Sequence, residues 1–193
     1  MVLKRYLRDY GFLFGLAGVV IALDQWTKWL VRSNLEMGEI WMPWSALSPY
    51  ARIVHWYNTG VALGMFQDQN PLFAALAVLV IIGIIYYFPQ LPVKDWPLRL
   101  ALALMMGGAA GNLIDRVTVG HVTDFLSVGN FPVFNVADSS ITVGVVVLIL
   151  GVWADDRRTR QQEKLRLAAE QSAAEAALDE INSQNSVEQG PVA

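Results

Sequence analysis

The sequence contains no cysteine. This absence excludes thiol nucleophiles, disulfides, thiolate zinc sites and iron–sulfur clusters. Histidine is almost as scarce, because His55 and His121 are the only imidazoles and they form no H-E-x-x-H motif. We therefore set aside metal-dependent hydrolysis and Ser-His triads, and we expect no cofactor.

Charged residues are also few. They make up 16% of the 193 residues, whereas 54% of the residues are hydrophobic. The formal net charge is only -3, and the aromatic residues lie within apolar runs rather than in a basic patch, so nucleic acid is not an expected partner. A composition this apolar indicates a membrane protein, for which lipids are partners.

Four apolar stretches are each long enough to cross a hydrocarbon core of about 30 Å as a helix. They cover residues 12–31, 72–88, 98–114 and 136–154. The first stretch follows basic residues, as in a signal peptide, but it lacks a small-residue cleavage site, so we expect it to remain in the mature protein. The predicted fold is an all-α membrane protein with four transmembrane helices. Residues 1–156 form the membrane domain, and residues 157–193 form a charged, partly disordered cytoplasmic tail.

The distribution of lysine and arginine predicts the orientation. Ten of the 14 basic residues lie in the N-terminal segment, in the loop after the second stretch with its edge, or in the tail. The positive-inside rule places these segments, and with them both termini, in the cytoplasm. The long loop over residues 33–71 is then outside, and residues 51–57 in it are predicted to form a short strand. Its aromatic residues, Trp44 among them, suit the headgroup region of the outer leaflet.

Polar side chains gather where the predicted spans reach this outer face. Charges inside hydrocarbon are costly, so such residues are functional candidates. Helical spacing places Asp24 with Lys28, and Asn112 with Asp115 or Arg116, on shared helix faces. The candidates are Asp24, Lys28, Asn112, Asp115, Arg116, Asp124, Asn135 and Asp138.

Part of this set has a structural explanation. Salt bridges between Asp24 and Lys28, and between Asp115 and Arg116, would fix the register of the helices. Gly107, Gly108 and Gly111 are small residues of the kind that let transmembrane helices approach closely, so we expect them to be packing positions. These features alone do not indicate catalysis.

Asp124 and Asp138 differ from the other acids, because no basic residue lies within four positions of either. We predict Asp124 in a short outer loop and Asp138 at the start of the fourth helix. Two carboxylates that approach each other cannot both ionise easily, so one keeps a proton while the other acts as a base. This pairing predicts aspartic-protease chemistry, in which water attacks a carbonyl without a metal or a covalent intermediate.

The motifs in this region resemble those of lipoprotein signal peptidases, the type II signal peptidases of bacteria. Five motifs occur in order on the four predicted spans and their loops, between Asp24 and Trp153. They are Asp24-Gln25-Trp26-Thr27-Lys28, Asn58-Thr59-Gly60-Val61-Ala62, the run over residues 107–116, Val122-Thr123-Asp124-Phe125 and Phe134-Asn135-Val136-Ala137-Asp138. Leu63 departs from the aromatic residue that many members have after the second motif.

The resemblance implies a function and a set of roles. It implies an endopeptidase of the bacterial inner membrane that cleaves diacylglyceryl-modified prolipoproteins just before the lipid-modified cysteine. Asp124 and Asp138 would be the catalytic dyad near the periplasmic face. Residues with substrate-binding or supporting roles would be Asp24, Lys28, Asn58, Gly108, Asn112, Asp115, Arg116 and Asn135. We expect the protein to act as a monomer.

Two other classes of function also fit charged residues in membrane spans. An ion-coupled transporter predicts polar residues at mid-membrane and inverted repeats, whereas the acids here cluster at one edge and no repeat is evident. A structural assembly subunit predicts that replacing Asp124 or Asp138 damages folding. The peptidase hypothesis predicts instead that such variants fold but do not cleave.

Overall fold

The structure, a computed structural model, describes the backbone of residues 2–42, 50–58 and 69–188, and the side chains of residues 3–42, 50–58 and 69–171. Within these ranges, four helices are long and apolar enough to cross a membrane. They are α1 (Val2–Asn34), α2 (Asn70–Tyr87), α3 (Trp96–Thr118) and α4 (Val136–Glu188). The predicted all-α membrane fold with four spans is therefore confirmed. Trp44 and residues 59–63, including Leu63, lie outside the described residues.

Prolines mark where two of these helices begin. Pro71 and Pro97 each occupy the first turn of their helix, in α2 and α3 respectively. Proline suits this position, because the backbone N–H that it lacks would have no partner within the helix. A short 3-10 turn over Phe88–Gln90 follows α2. Because the connection to α3 is short, α2 and α3 pack as neighbours.

Helix α3 is the centre of the bundle. Half of its apolar window is buried within the protein, compared with 11% for α2, because α3 packs against α1, α2 and α4. Glycines permit these close approaches: Gly107 faces Val20 of α1, and Gly108 faces Ala137 and Ile141 of α4. Gly108 is therefore a packing position, as the sequence indicated.

One end of the bundle carries a three-stranded antiparallel sheet in the order β1 (Ile40–Trp41), β2 (Ala51–Asn58) and β3 (Val122–Val128). We call this the sheet end. The strand predicted over residues 51–57 is confirmed. The loop predicted around Asp124 is wrong, because this residue lies in β3 opposite Trp56 of β2. The prediction missed β3 because polar residues interrupt its apolar pattern, whereas pairing with β2 satisfies the backbone.

The opposite end of the bundle is closed by a separate buried ion pair. Arg99 of α3 donates to the carboxylate of Asp9 of α1 over 2.8 Å, and both side chains are buried. The guanidinium of Arg99 also lies 4.5 Å from the ring centroid of Phe88. This cluster joins α1, α3 and the turn after α2, and no residue of it reaches the sheet end.

The chain divides into two compact units, residues 1–151 and residues 152–193. The second unit is the continuation of α4, which remains helical as far as Glu188. Its surface carries ion pairs one turn apart, such as Asp156 with Arg160 at 2.9 Å. The guanidinium of Arg157 lies 3.7 Å from the ring centroid of Trp153. These are contacts along one helix.

The packing of α3 against α4 gives a test. A Cβ at Gly108 would collide with the carbonyl oxygen of Ala137 and the side chain of Ile141, whereas a Cβ at Gly83 of α2 would meet nothing within 4 Å. We expect Gly108→Ala to destabilise the protein by about 1–3 kcal/mol through overpacking. Gly83→Ala is the matched control and should unfold at the wild-type temperature or above. Thermal unfolding in detergent measures both, and equal unfolding temperatures would contradict this packing.

Candidate active site

The two acids singled out from the sequence meet at the sheet end. Asp124 lies in β3 and is 2% exposed, and Asp138 lies in the first turn of α4. The side-chain nitrogen Nδ2 of Asn135 donates to Oδ1 of Asp124 over 2.7 Å. The backbone nitrogen of Asn135 donates to Oδ2 of Asp138 over 3.2 Å. A single residue therefore binds both carboxyl groups.

Asn135 holds this position because it caps α4. Its side-chain oxygen accepts from the backbone N–H of Asp138 at 2.9 Å, while its own N–H donates to the carboxylate of Asp138. This reciprocal pair is a capping box, which satisfies the free N–H groups at a helix start. The next free N–H, that of Ala137, donates to Oδ1 of Asp24 over 2.9 Å. Asp138 is thus fixed by the way α4 begins.

Asn112 of α3 connects the acids to a buried cation. Its Nδ2 donates to Oδ1 of Asp138 over 2.7 Å, and its Oδ1 accepts from Nζ of Lys28 over 2.8 Å. The same Oδ1 accepts from Nδ2 of Asn135 at 3.1 Å. Because an ammonium can only donate, Lys28 forces the amide of Asn112 to turn its NH₂ group toward Asp138.

Lys28 has no exposed surface and lies between two carboxylates. Its Nζ is 2.9 Å from Oδ2 of Asp24 and 3.2 Å from Oδ2 of Asp115, both of which are also fully buried. The predicted pair of Asp24 with Lys28 is confirmed. Asp24 also lies against Gly111, where a Cβ would approach its Oδ2 to 2.6 Å. A side chain at this position would therefore displace the carboxylate of Asp24.

The predicted salt bridge between Asp115 and Arg116 is wrong. Within the described residues, the cations that contact Asp115 are Lys28 and Arg32, at 3.2 and 3.3 Å. Consecutive helical residues point about 100° apart, so Asp115 faces α1 while Arg116 faces away from it. Nη1 of Arg116 lies 3.5 Å from the carbonyl oxygen of Asn112, and its Nε has no hydrogen-bond partner within the described part of the chain.

A cavity of about 570 Å³ opens beside the two acids. Nδ2 of Asn58, at the end of β2, donates to Oδ2 of Asp124 over 3.2 Å at its rim. The guanidinium of Arg116 lies on another side, 5.6 Å from the ring centroid of Phe73. The lining joins polar and apolar side chains, which are Asn58, Asn112, Arg116, Val122, Asp124, Phe131, Pro132, Val133, Phe134, Asp138, Ser139, Ile141, Thr142 and Val143.

The environment of Asp124 favours its protonated form. Burial, and then the negative charge of Asp138, raise the pKa of the Asp124 carboxyl to about 7, against the lowering effect of the hydrogen bonds from Asn58 and Asn135. A carboxyl group with this pKa can hold a proton near neutral pH and release it during a reaction.

The structure brings together the residues that the sequence indicated, and it adds three that the sequence analysis missed. Gln25 donates to Asp24, to the carbonyl of Gly111 and to Asp115. Arg32 donates to Asp115 and to the hydroxyl of Thr123. Arg32 had a signal, because it continues the four-residue spacing of Asp24 and Lys28 along α1. Thr123 stands in the motif Val122-Thr123-Asp124-Phe125, but no role was assigned to it, since its contacts depend on the formation of β3.

Comparison with known proteins identifies relatives. The family described as Signal peptidase (SPase) II matches residues 16–154. The lipoprotein signal peptidase of Halalkalibacterium halodurans is 41% identical over 152 residues, which cover 77% of this chain and 96% of the relative. That of Geobacillus thermodenitrificans is 45% identical over 139 residues, which cover 70% of this chain and 85% of the relative.

Solved structures also resemble this chain. One, described as a bacterial membrane enzyme determined by the in meso method at 2.3 Å resolution, is 30% identical with a TM-score of 0.70. The match covers 76% of this chain and 90% of that chain. A second, described in the same way at 1.9 Å resolution, has a TM-score of 0.66 at 30% identity. The family match therefore runs from α1 to α4, and each of these relatives and structures covers at least 70% of this chain.

The buried position of Lys28 gives a test of the ion network. Lys28→Met would leave two buried carboxylates without their shared cation, so we expect a loss of about 3–5 kcal/mol in unfolding free energy. Arg160→Met removes the cation of an exposed pair with the same four-residue spacing, and should cost less than about 1 kcal/mol. Unfolding in detergent compares the two variants. Similar losses in both would show that the buried network does not stabilise the bundle.

Proposed function

The chain belongs to the signal peptidase II family and is a bacterial multi-pass membrane protease that removes signal peptides from prolipoproteins; we propose that Asp124 and Asp138 are its catalytic dyad. The observation that carries this proposal is the binding of both carboxyl groups by Asn135. The transport and assembly hypotheses are set aside, because the family is a protease family.

The two acids have different surroundings, and we assign them different roles. Asp138 lies at the N-terminal turn of α4 and accepts from Asn112 and from a backbone N–H, which stabilises its charged form. Asp124, with its raised pKa, holds the shared proton. Asp138 is then the base that takes a proton from water. Asp124 donates its proton to the scissile carbonyl oxygen as the hydroxide attacks the carbon.

The resulting gem-diol collapses with cleavage of the C–N bond. The proton held by Asp138 moves to the leaving nitrogen, and one gem-diol hydroxyl returns its proton to Asp124. Each carboxyl group regains its starting state, so no metal or covalent intermediate is needed in this scheme. The amides of Asn112 and Asn135 hold both carboxyl groups in place during these transfers.

The charges of the network support a single proton on the dyad. Four carboxylates belong to it, those of Asp24, Asp115, Asp124 and Asp138. Three cations accompany them, namely Lys28, Arg32 and Arg116. With one carboxyl group protonated, the formal charge of the cluster is zero. Because net charge is costly in a low-dielectric environment, this balance favours the singly protonated dyad.

We propose that the substrate is a diacylglyceryl-modified prolipoprotein that is cut just before its lipid-modified cysteine. The cavity beside the dyad suits such a ligand. Its apolar lining, which includes Ile141 and Val143, can contact lipid or signal-peptide side chains, while Asn58 and Arg116 can bind peptide or ester carbonyls. Arg116 has donor capacity available for this within the described residues.

The orientation and the oligomeric state are also proposals. The excess of Lys and Arg away from the sheet end supports cytoplasmic termini and a periplasmic active site. Since the chain lacks cysteine, single cysteines introduced at Lys94 and Val119 report the sides, and only the second should react with an impermeant maleimide in intact cells. We propose a monomer surrounded by membrane lipids, because a single copy of the chain supplies both acids of the dyad and the amides of Asn112 and Asn135 that bind them. Light scattering of the detergent-solubilised protein measures its mass.

The dyad is tested with a purified diacylglyceryl-modified prolipoprotein and the detergent-solubilised protein. We expect Asp124→Asn and Asp138→Asn to lower kcat by roughly 10²- to 10⁴-fold, because each removes an acid–base group. Both variants should stay folded. Asp155→Asn, an exposed acid in the second unit, is the control and should cleave at the wild-type rate. N-terminal analysis identifies the product, and normal processing by either dyad variant would remove the assignment.

The raised pKa of Asp124 predicts how activity depends on pH. Above a pH of about 7 Asp124 loses its proton, so both acids are charged and no acid remains to polarise the carbonyl. We expect kcat/KM to fall by about tenfold per pH unit above this value. Initial rates between about pH 6 and about pH 9, with unfolding checked at each pH, measure the effect. A flat profile over that range would contradict the proposed role of Asp124.

A further inference from the structure

Arg32 contacts the residue that precedes the proposed catalytic Asp124. Its Nη1 donates to the hydroxyl oxygen Oγ1 of Thr123 over 2.9 Å and lies 3.3 Å from Oδ1 of Asp115. The Arg32 side chain is 27% exposed, so it lies at the edge of the ion network, whereas Lys28 lies inside it. One nitrogen therefore links α1 to both α3 and β3.

The backbone N–H, the carbonyl and the hydroxyl of Thr123 each form a hydrogen bond. It has no exposed surface. Its backbone N–H donates to Oδ2 of Asp115 over 3.0 Å, and its carbonyl accepts from Nδ2 of Asn135 at 3.3 Å. Its hydroxyl accepts from Arg32. The peptide before Thr123 is thus fixed by a side chain of α3, and the peptide that joins Thr123 to Asp124 is fixed by the residue that caps α4.

Because successive side chains of a strand point to opposite faces, holding Thr123 toward α1 directs Asp124 to the other side. That side carries Asn135 and the cavity. The hydroxyl contact with Arg32 resists rotation of the strand about its own axis, which would move the carboxyl group of Asp124. Reacting groups displaced by about 1 Å can lose about 100-fold in rate.

We propose that Arg32 is a positioning residue for catalysis, which holds Asp124 in its reactive orientation through the hydroxyl of Thr123. This inference rests on the proposed dyad. Arg32 makes no contact with substrate in this role. Arg32 acts on the transition state, where the orientation of the acid matters most, and not on the binding of the prolipoprotein.

Two substitutions at Thr123 separate this role from simple stabilisation. Thr123→Val removes the hydroxyl acceptor while the ion pair of Arg32 with Asp115 remains, and Thr123→Ser retains the hydroxyl. Arg32→Gln removes the cation itself. Arg52→Gln is the matched control. Nε of Arg52 donates over 3.2 Å to the hydroxyl of Ser127, which lies on β3 like Thr123 but away from the dyad.

The measurements are kcat and KM on a diacylglyceryl-modified prolipoprotein, together with the affinity of a hydroxyethylene analogue of the scissile bond. The analogue also titrates the active sites, so rates are expressed per folded site. We expect Thr123→Val and Arg32→Gln to lower kcat by about 10- to 100-fold with KM nearly unchanged. Analogue affinity should fall in parallel. Thr123→Ser and Arg52→Gln should stay near the wild-type values.

The Thr123 variants distinguish a positioning role of Arg32 from a purely structural one. Wild-type kcat per titrated site in Thr123→Val, even with a lowered unfolding temperature, would reduce Arg32 to a structural role and overturn the inference. Equal losses in Thr123→Val and Thr123→Ser would do the same. Where Arg32→Gln does not fold, the two Thr123 variants decide alone. An active Asp124→Asn variant would contradict the proposed dyad itself. An inactive Asp124→Asn variant together with a fully active Thr123→Val variant would contradict only the positioning role.

Discussion

The ammonium of Lys28 is the contact on which the sheet end of the bundle depends. It joins α1 to α3 through Asp115 and Asn112 and pairs with Asp24 of its own helix, with no access to solvent. A buried charge is tolerated only when partners surround it, so these three residues must meet Lys28 in one arrangement. Once they do, Asp24 is also in place to accept from the first turn of α4. The ion pair therefore specifies where three helices meet.

The orientation of the proposed catalytic groups follows from this charge by a chain of donors and acceptors. Lys28 sets the direction of the Asn112 amide, and that amide faces Asp138. Asn135 connects Asn112 to Asp124 and caps α4 at the same time. If the amide of Asn112 or Asn135 were turned over, two donors or two acceptors would face each other. Such a network favours one geometry, which is what acid–base chemistry requires.

Hydrophobic length predicted the four spans, and helical spacing predicted the pair of Asp24 with Lys28, because both depend on local sequence. The strand around Asp124 was missed, since it exists through pairing with β2. The partner of Asp115 was mistaken, because a neighbour along the chain was preferred to Lys28 and Arg32 on another helix. The three-residue spacing of Asn135 and Asp138 is typical of a helix cap and is visible in the sequence. The contact of Asn135 with Asp124 could not be predicted, because it depends on the folded arrangement of β3 and α4.

The pairing of Asp24 with Lys28 one turn apart also bears on how the chain is made. Helix α1 leaves the ribosome before α3, and Asn112 follows Lys28 by 84 positions. During that interval α1 must reside in lipid without the residues that later surround its charges. Asp24 and Lys28 neutralise each other within one helix, which lowers the free energy of holding both charges in the membrane before α3 is inserted. Asp115 then enters a site whose cation is already shielded, so biosynthesis can proceed helix by helix.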